Sequence, residues 1–117
     1  MTNLLQVGSI TSEMREQLEA KFIIHQLDDF EPNEITHVIT NGHDGVSPDL
    51  MASLSNLRVI SGYGVGYDAI DVVEAVKRGI VVTHTPNVLN EEVATTALLL
   101  MLSSYREVLR DDAYVRT

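Results

Sequence analysis

Apolar residues fall into two rhythms along this chain. Short runs without alternation occur at 4–7, at 22–26 ("FIIHQ"), 37–40 ("HVIT"), 57–61 ("LRVIS") and 80–83 ("IVVT"), and each has the length of a strand. Between them the spacing turns helical. Met14, Leu18 and Phe22 recur behind Thr11 or Ser12, either of which can cap. Residues 47–54 open with Ser47 as cap, Pro48 at the first helical position and Asp49 at the positive end of the helix dipole. Residues 70–79 read as a helix with Asp71 and Glu74 at capping-box spacing and Gly79 as its stop. A last helix starts at Asn90 as cap, with Glu91 and Glu92 in its first turn, and meets no stop signal before Thr117.

Near-continuous Val, Ile and Leu strands alternating with helices predict an α/β fold with a parallel sheet covered on both faces. Right-handed crossovers make it doubly wound. The expectation is a five-stranded, flavodoxin-like sheet followed by a long C-terminal helix, with residues 1–117 as one domain. A helix over 91–115 would be ~37 Å long at ~1.5 Å per residue. A domain of ~100 residues has a radius of gyration near ~13 Å, so that helix overhangs its own domain or packs on something else.

Ligands of such sheets bind beyond the carboxyl ends of the strands. That selects three loops: "NGHDG" at 41–45, "GYGVGYD" at 62–68 and "HTPNVLN" at 84–90.

Composition narrows the partners. The net charge is -9 and the eight Lys and Arg residues are scattered, which argues against nucleic acid. No cysteine is present, so thiol and disulfide chemistry are excluded. The longest apolar run, "ALLLML" at 97–102, is far short of the ~20 residues of a membrane helix. The N-terminus lacks the basic start and long apolar stretch of a secretion signal. A cytoplasmic protein is expected. No two histidines have ligand spacing, so no metal is expected.

Gly64, Gly66 and Ala69 fit G-x-G-x-x-A between a strand and a helix. The context is wrong for a dinucleotide, because the turn follows the fourth strand rather than the first. The next strand ends "VVTHTP", without the acid that would hold a ribose. Two readings stay open: a plain tight turn, or a backbone cradle for a small anion, for which successive N–H groups are suited.

At this point the residues resemble a family. "GYGVGYDAIDVVEAVKRGIVVTHTPNVLNEEVATTALLLML" is similar to the N-terminal part of the D-isomer-specific 2-hydroxyacid dehydrogenases of glyoxylate and hydroxypyruvate reductase type. The match is carried over 57–117 by "GVGYD-x-ID", "RGI-x-V" and "TP-x-VL"; residues 1–56 share only the rhythm of strands and helices.

The resemblance implies most of the substrate-binding domain of a two-domain enzyme that uses NAD or NADP. It implies that the amides of Val65 and Gly66 receive the carboxylate of a small 2-oxo or 2-hydroxy acid. Val93, in the first turn of the last helix, would touch the nicotinamide side of the cofactor or serve as a core valine. The family's catalytic Arg, Glu and His, its dinucleotide fingerprint and its last helix lie beyond position 117. No residue here is therefore assigned a catalytic role, and the 117 residues alone are expected to be inactive and to hold no cofactor tightly. The long helix would reach a second subunit, giving a homodimer.

Departures from the family pattern are His84 before "TP", Thr95 after "VA", and Asn90 at the start of the last helix. They bear on the substrate more than on the fold. His84 can be read as a general acid or as a hydrogen-bonded loop residue, and the resemblance favours the second. In "NGHDG", His43 and the Gly42 N–H can face substrate, although Asn-Gly and Asp-Gly are turn dipeptides. His25 and His37 read as structural. Asp68 and Asp71 read as caps of the following helix rather than as paired acids.

Two other classes share parts of this pattern. A free-standing, non-catalytic module that dimerises through its last helix is the alternative. A phosphoacceptor receiver domain needs an acidic cluster after the first strand, which "VGSIT" does not supply.

Overall fold

Five parallel strands form one sheet in the computed structural model, which describes every residue from Met1 to Thr117. They are β1 (Thr2–Gln6), β2 (Phe22–His25), β3 (His37–Asn41), β4 (Val59–Tyr63) and β5 (Val81–Thr83), in the order β2-β1-β3-β4-β5. The helices are α1 (Ser12–Glu19), α2 (Pro48–Ser53), α3 (Val72–Lys77), α4 (Asn90–Tyr105) and α5 (Val108–Val115). The chain divides into two units, Met1–Pro86 and Asn87–Thr117. No helix is long and apolar enough to cross a membrane.

The sheet is the doubly wound, flavodoxin-like one expected. Its order steps one way from β1 to β2 and the other way from β3 to β5. With right-handed crossovers, α1 therefore lies on one face and α2 and α3 on the other. Register aligns Leu5, Val38, Ile60 and Val82 across four strands. This row packs with Met51 and Leu54 around α2 and with Ile70, Ala75 and Ile80 around α3. Leu5, Met51, Leu54 and Ile60 are fully buried.

The opposite face carries Leu4, Gln6 and Ile39, all buried, with α1 beside β2. Toward β5 that face is open within the first unit: Val81 is 57% exposed. Coverage of both faces, expected from the apolar strands, thus holds for β1 and β3 and thins out at β5.

Local signals act as their chemistry requires. The Thr11 hydroxyl accepts from Met14 N–H at 3.2 Å and Ser47 from Leu50 N–H at 3.2 Å. Asp71 accepts from Glu74 N–H at 2.9 Å. Only half of that capping box forms, because the Glu74 carboxylate turns to Lys77 Nζ at 3.6 Å. Gly79, at φ +71°, ends α3. Its N–H donates to Val76 O and that of Ile80 to Ala75 O, the bond pair of a Schellman motif. Arg78 reaches back to the end of α2, donating from Nη2 to Leu54 O at 2.9 Å and from Nη1 to Met51 O.

The C-terminal unit departs from expectation twice. Asn90 is the first helical residue rather than the cap: Leu89 holds the cap position, and Asn90 Nδ2 donates to Asn87 Oδ1 at 3.2 Å. The expected helix over 91–115 is broken between α4 and α5. Glu107 sits in the left-handed region at φ 51°, ψ 37° and its carbonyl accepts from Arg110 and Asp111, starting a new helix. A non-glycine residue there costs about 1–2 kcal/mol, and as a glutamate it gives no breaker signal in the sequence.

Candidate functional site

The carboxyl edge of the sheet is built by four strand ends, all in the first unit. At β1, Gln6 Nε2 donates to Gly8 O at 2.7 Å, while its Oε1 accepts from Arg15 Nη2 at 2.6 Å. The loop after β1 is thereby tied to α1.

At β3, Asn41 organises the next loop. Its Oδ1 accepts the N–H groups of His43 (2.9 Å) and Asp44 (2.7 Å), and its Nδ2 donates to Ser9 O (3.2 Å) and to the Asp44 carboxylate (2.6 Å). This is an asparagine-centred turn. The turn reading of "NGHDG" therefore holds for the His43 main chain, and Asn41 is a residue that sequence reasoning passed over.

Gly45 closes the loop at φ +61°. A Cβ there would collide with the carbonyl oxygen of Ala69. The carbonyl of Gly45 accepts from the buried Thr40 hydroxyl at 2.7 Å. Val46 N–H then donates to Ala69 O at 3.0 Å, and Val46 bridges Ile70 in parallel. The loops after β3 and β4 are stitched together behind the site by this bridge, whose sequence signal is one apolar residue after a glycine.

The loop after β4 touches the loop after β3 directly. A Cβ on Gly64 (φ +158°) would lie 3.2 Å from Gly42 N and 3.3 Å from Gly42 Cα. At Gly66, by contrast, φ is not in the left-handed region and an added Cβ would meet only Asp68 Oδ2, at 3.9 Å. Of the two glycines flanking Val65, the one that close packing requires is Gly64.

The N–H groups of Gly42, Val65 and Gly66 donate to no protein acceptor. Val65 is 38% exposed and Gly42 and Gly66 are exposed, so these donors belong to one open loop cluster. The carbonyls of the same turn are engaged: Gly64 O accepts from Thr85 N–H at 2.9 Å, and Val65 O lies 2.8 Å from His84 Nδ1. A carbonyl oxygen only accepts, so His84 carries its hydrogen on Nδ1. The ring also meets Tyr67 edge-on, with centroids 4.9 Å apart and planes at 71°. His84 is accordingly a hydrogen-bonded loop residue.

The turn does not suit a dinucleotide. Residues 83–85, which end β5 and lead out of it, are Thr, His and Thr, with no acid for a ribose. The N-terminus of α3 is already filled by the Asp71 carboxylate, which takes the Glu74 N–H and places negative charge where a pyrophosphate would sit.

Asp68, read as a cap, caps nothing; it stands by Gly66. His37, at the amino end of β3, pairs its Nδ1 with Thr36 Oγ1 at 2.9 Å; His25 ends β2, and its Nε2 pairs with Asn3 Oδ1 at 2.9 Å. Val93 belongs to the second unit, on α4. It is 63% exposed, in an apolar groove of about 400 Å³ with Leu89, Thr96, Ala97 and Leu100.

Residues 5–111 match the family model for the D-isomer specific 2-hydroxyacid dehydrogenase catalytic domain. The chain belongs to that family.

Among its relatives is a 2-ketogluconate reductase of Gluconobacter oxydans, 36% identical over 97% of this chain and 38% of the relative. Among solved structures, a 2-hydroxyacid dehydrogenase from Ketogulonicigenium vulgare Y25 superposes with a TM-score of 0.86 at 35% identity, over 99% of this chain and 40% of that one. An NADPH-dependent glyoxylate/hydroxypyruvate reductase from Sinorhizobium meliloti, in complex with citrate, gives 0.83 at 31% identity, over 99% and 39%. The same reductase has also been solved with NADP and malonate, and that structure gives 0.75 at 32% identity, over 99% and 40%. The chain spans about two fifths of the length of these relatives.

Proposed function

We propose that these 117 residues form most of the substrate-binding domain of an NAD(P)-dependent reductase. The reaction is hydride transfer between nicotinamide and C2 of a small 2-oxo or 2-hydroxy acid of glyoxylate or hydroxypyruvate type. The share of this chain is to hold the acid's carboxylate on the N–H groups of Val65 and Gly66, with Gly42 N–H alongside. The observation that carries the reading is that these three main-chain donors, in two touching loops beyond the carboxyl ends of β3 and β4, have no protein acceptor. The Sinorhizobium relative, solved with citrate and with malonate, supports a carboxylate as the ligand.

No side chain here is assigned to the chemical step, and the 117 residues alone are expected to be inactive. The β4–α3 turn is not the cofactor site, for the reasons above. Val93 is the one residue we assign to the nicotinamide side of a reductase that uses NAD or NADP; the Sinorhizobium relative has been solved with NADP.

Hydrogen bonds to a charged group contribute ~1.5–3 kcal/mol each, so two of them correspond to a dissociation constant of about 1 mM. The test is an NMR titration of the ¹⁵N-labelled chain with glyoxylate. The Val65 and Gly66 amides are expected to shift with millimolar midpoints; flat traces at both would remove the reading. Asp68 opposes an anion near Gly66, so Asp68→Asn should tighten the response by about twofold, the scale of one solvent-screened charge.

One observation favours the second reading, a dimerising interaction module. In α4, Leu98, Leu99, Leu100, Met101 and Leu102 are all exposed. A helix apolar all round is normally buried. A homodimer through α4 is compatible with both readings. Sedimentation at two concentrations tests it, and a monomer at both would exclude it.

A further inference from the structure

We infer that the segment leaving β5 aims both proposed carboxylate donors, and that His84 is the positioning residue for the Gly66 N–H; the inference rests on the carboxylate reading above. A trans peptide is planar, with the C=O of one residue and the N–H of the next pointing in opposite directions. The Gly64 carbonyl and the Val65 N–H share one such plane, and the Val65 carbonyl and the Gly66 N–H share the next. Thr85 N–H holds the first carbonyl at 2.9 Å and His84 Nδ1 holds the second at 2.8 Å. Both carbonyls are drawn to the same segment, at consecutive residues. Both N–H groups are therefore turned away from it, to one side, where a single carboxylate can meet the two.

The two restraints differ in kind. Thr85 acts through its main chain, so any residue but proline supplies it. His84 acts through its side chain and is the part that depends on sequence. The restraint is needed because Val65 is flanked by Gly64 and Gly66, which leave the intervening peptide planes freer to rotate than ordinary residues would. The ring itself is held edge-on by Tyr67, and with Val72 and Val82 these two side chains line a cavity of about 200 Å³ behind the turn.

Side-chain amides separate this role from simple packing. The Nδ2 of asparagine occupies the place of imidazole Nδ1, one bond from Cγ, whereas the Nε2 of glutamine corresponds to the far ring nitrogen. His84→Asn should therefore keep the Gly66 donor aimed, and His84→Gln should not.

The experiment uses the ¹⁵N-labelled 117-residue chain and glyoxylate as ligand. Long-range ¹H–¹⁵N spectra of the His84 ring are expected to show the Nδ1–H tautomer. Glyoxylate should bind His84→Asn within twofold of the parent chain, and His84→Gln about fivefold more weakly, the loss expected of one hydrogen bond. The Gly66 amide should shift between the free forms of His84→Asn and His84→Gln. An Nε2–H tautomer, equal binding by all three chains, or an equal loss in both variants would overturn the inference while leaving the carboxylate reading in place. Silent Val65 and Gly66 amides in the parent chain would remove the carboxylate reading, and this inference with it.

Discussion

Residues Met1–Pro86 enclose their own core, while Asn87–Thr117 enclose nothing. In the first unit, Leu5, Met51, Leu54 and Ile60 are sealed between sheet and helices. In the second, neither α4 nor α5 has a buried residue, although α4 is the more apolar by sequence. Hydrophobicity alone did not create a core. Burial requires a second surface of matching shape, and the sheet supplies one to α2 and α3. In proteins most helical stability comes from packing an apolar face, and within this chain α4 buries none. The site follows the same division. The loops that hold Gly42, Val65 and Gly66, where we propose the carboxylate binds, are anchored on that packed sheet.

The strongest way to break this contrast is to remove one large side chain from each unit. Ile60→Ala should destabilise the first unit by about 2–5 kcal/mol in urea unfolding, whereas Leu100→Ala should change the same transition by less than about 0.5 kcal/mol. A comparable loss in both would mean that α4 shares the core. Next in size is Gly45→Ala. The added Cβ meets the Ala69 carbonyl at a residue with φ +61°, so a loss of about 2 kcal/mol or more is expected, together with lost hydrogen-exchange protection at Val46 N–H.

The caps sharpen the contrast on a smaller scale. Asp71→Ala removes an acceptor that Glu74 N–H uses and should cost about 1 kcal/mol, while Asn90→Ala removes none and should be nearly silent in a thermal melt. Smallest of all, Glu107→Gly relieves the left-handed residue between α4 and α5. It should stabilise the second unit by at most about 1 kcal/mol, seen as slower amide exchange at Arg110 and Asp111, and leave the first unit's melting point unchanged.

Much of the first unit was legible because its signals are local. Thr11, Ser47 and Asp71 cap where short polar side chains before apolar runs should, and Gly79 ends α3 as a glycine beyond a helix does. The strands were read to within two residues at either end because Val, Ile and Leu runs bounded by turns have few other uses. Less visible were the bonds that join separate loops. Asn41 reaching Ser9, Val46 pairing with Ala69, and Arg78 closing the end of α2 each link positions more than twenty residues apart, and no spacing rule records such a partner. The break at Glu107 was invisible for a different reason: its strain is carried by a residue type that ordinarily continues a helix.

By sequence alone, the strand and helix rhythm, the parallel character of the sheet and the resemblance to a dehydrogenase family were settled, because each rests on residues close together in the chain. Folding settled which glycines are sterically required, which strand end steadies the Val65–Gly66 turn, and which apolar stretch acquires a core. Those outcomes depend on distances between segments that meet only when the sheet has closed around them.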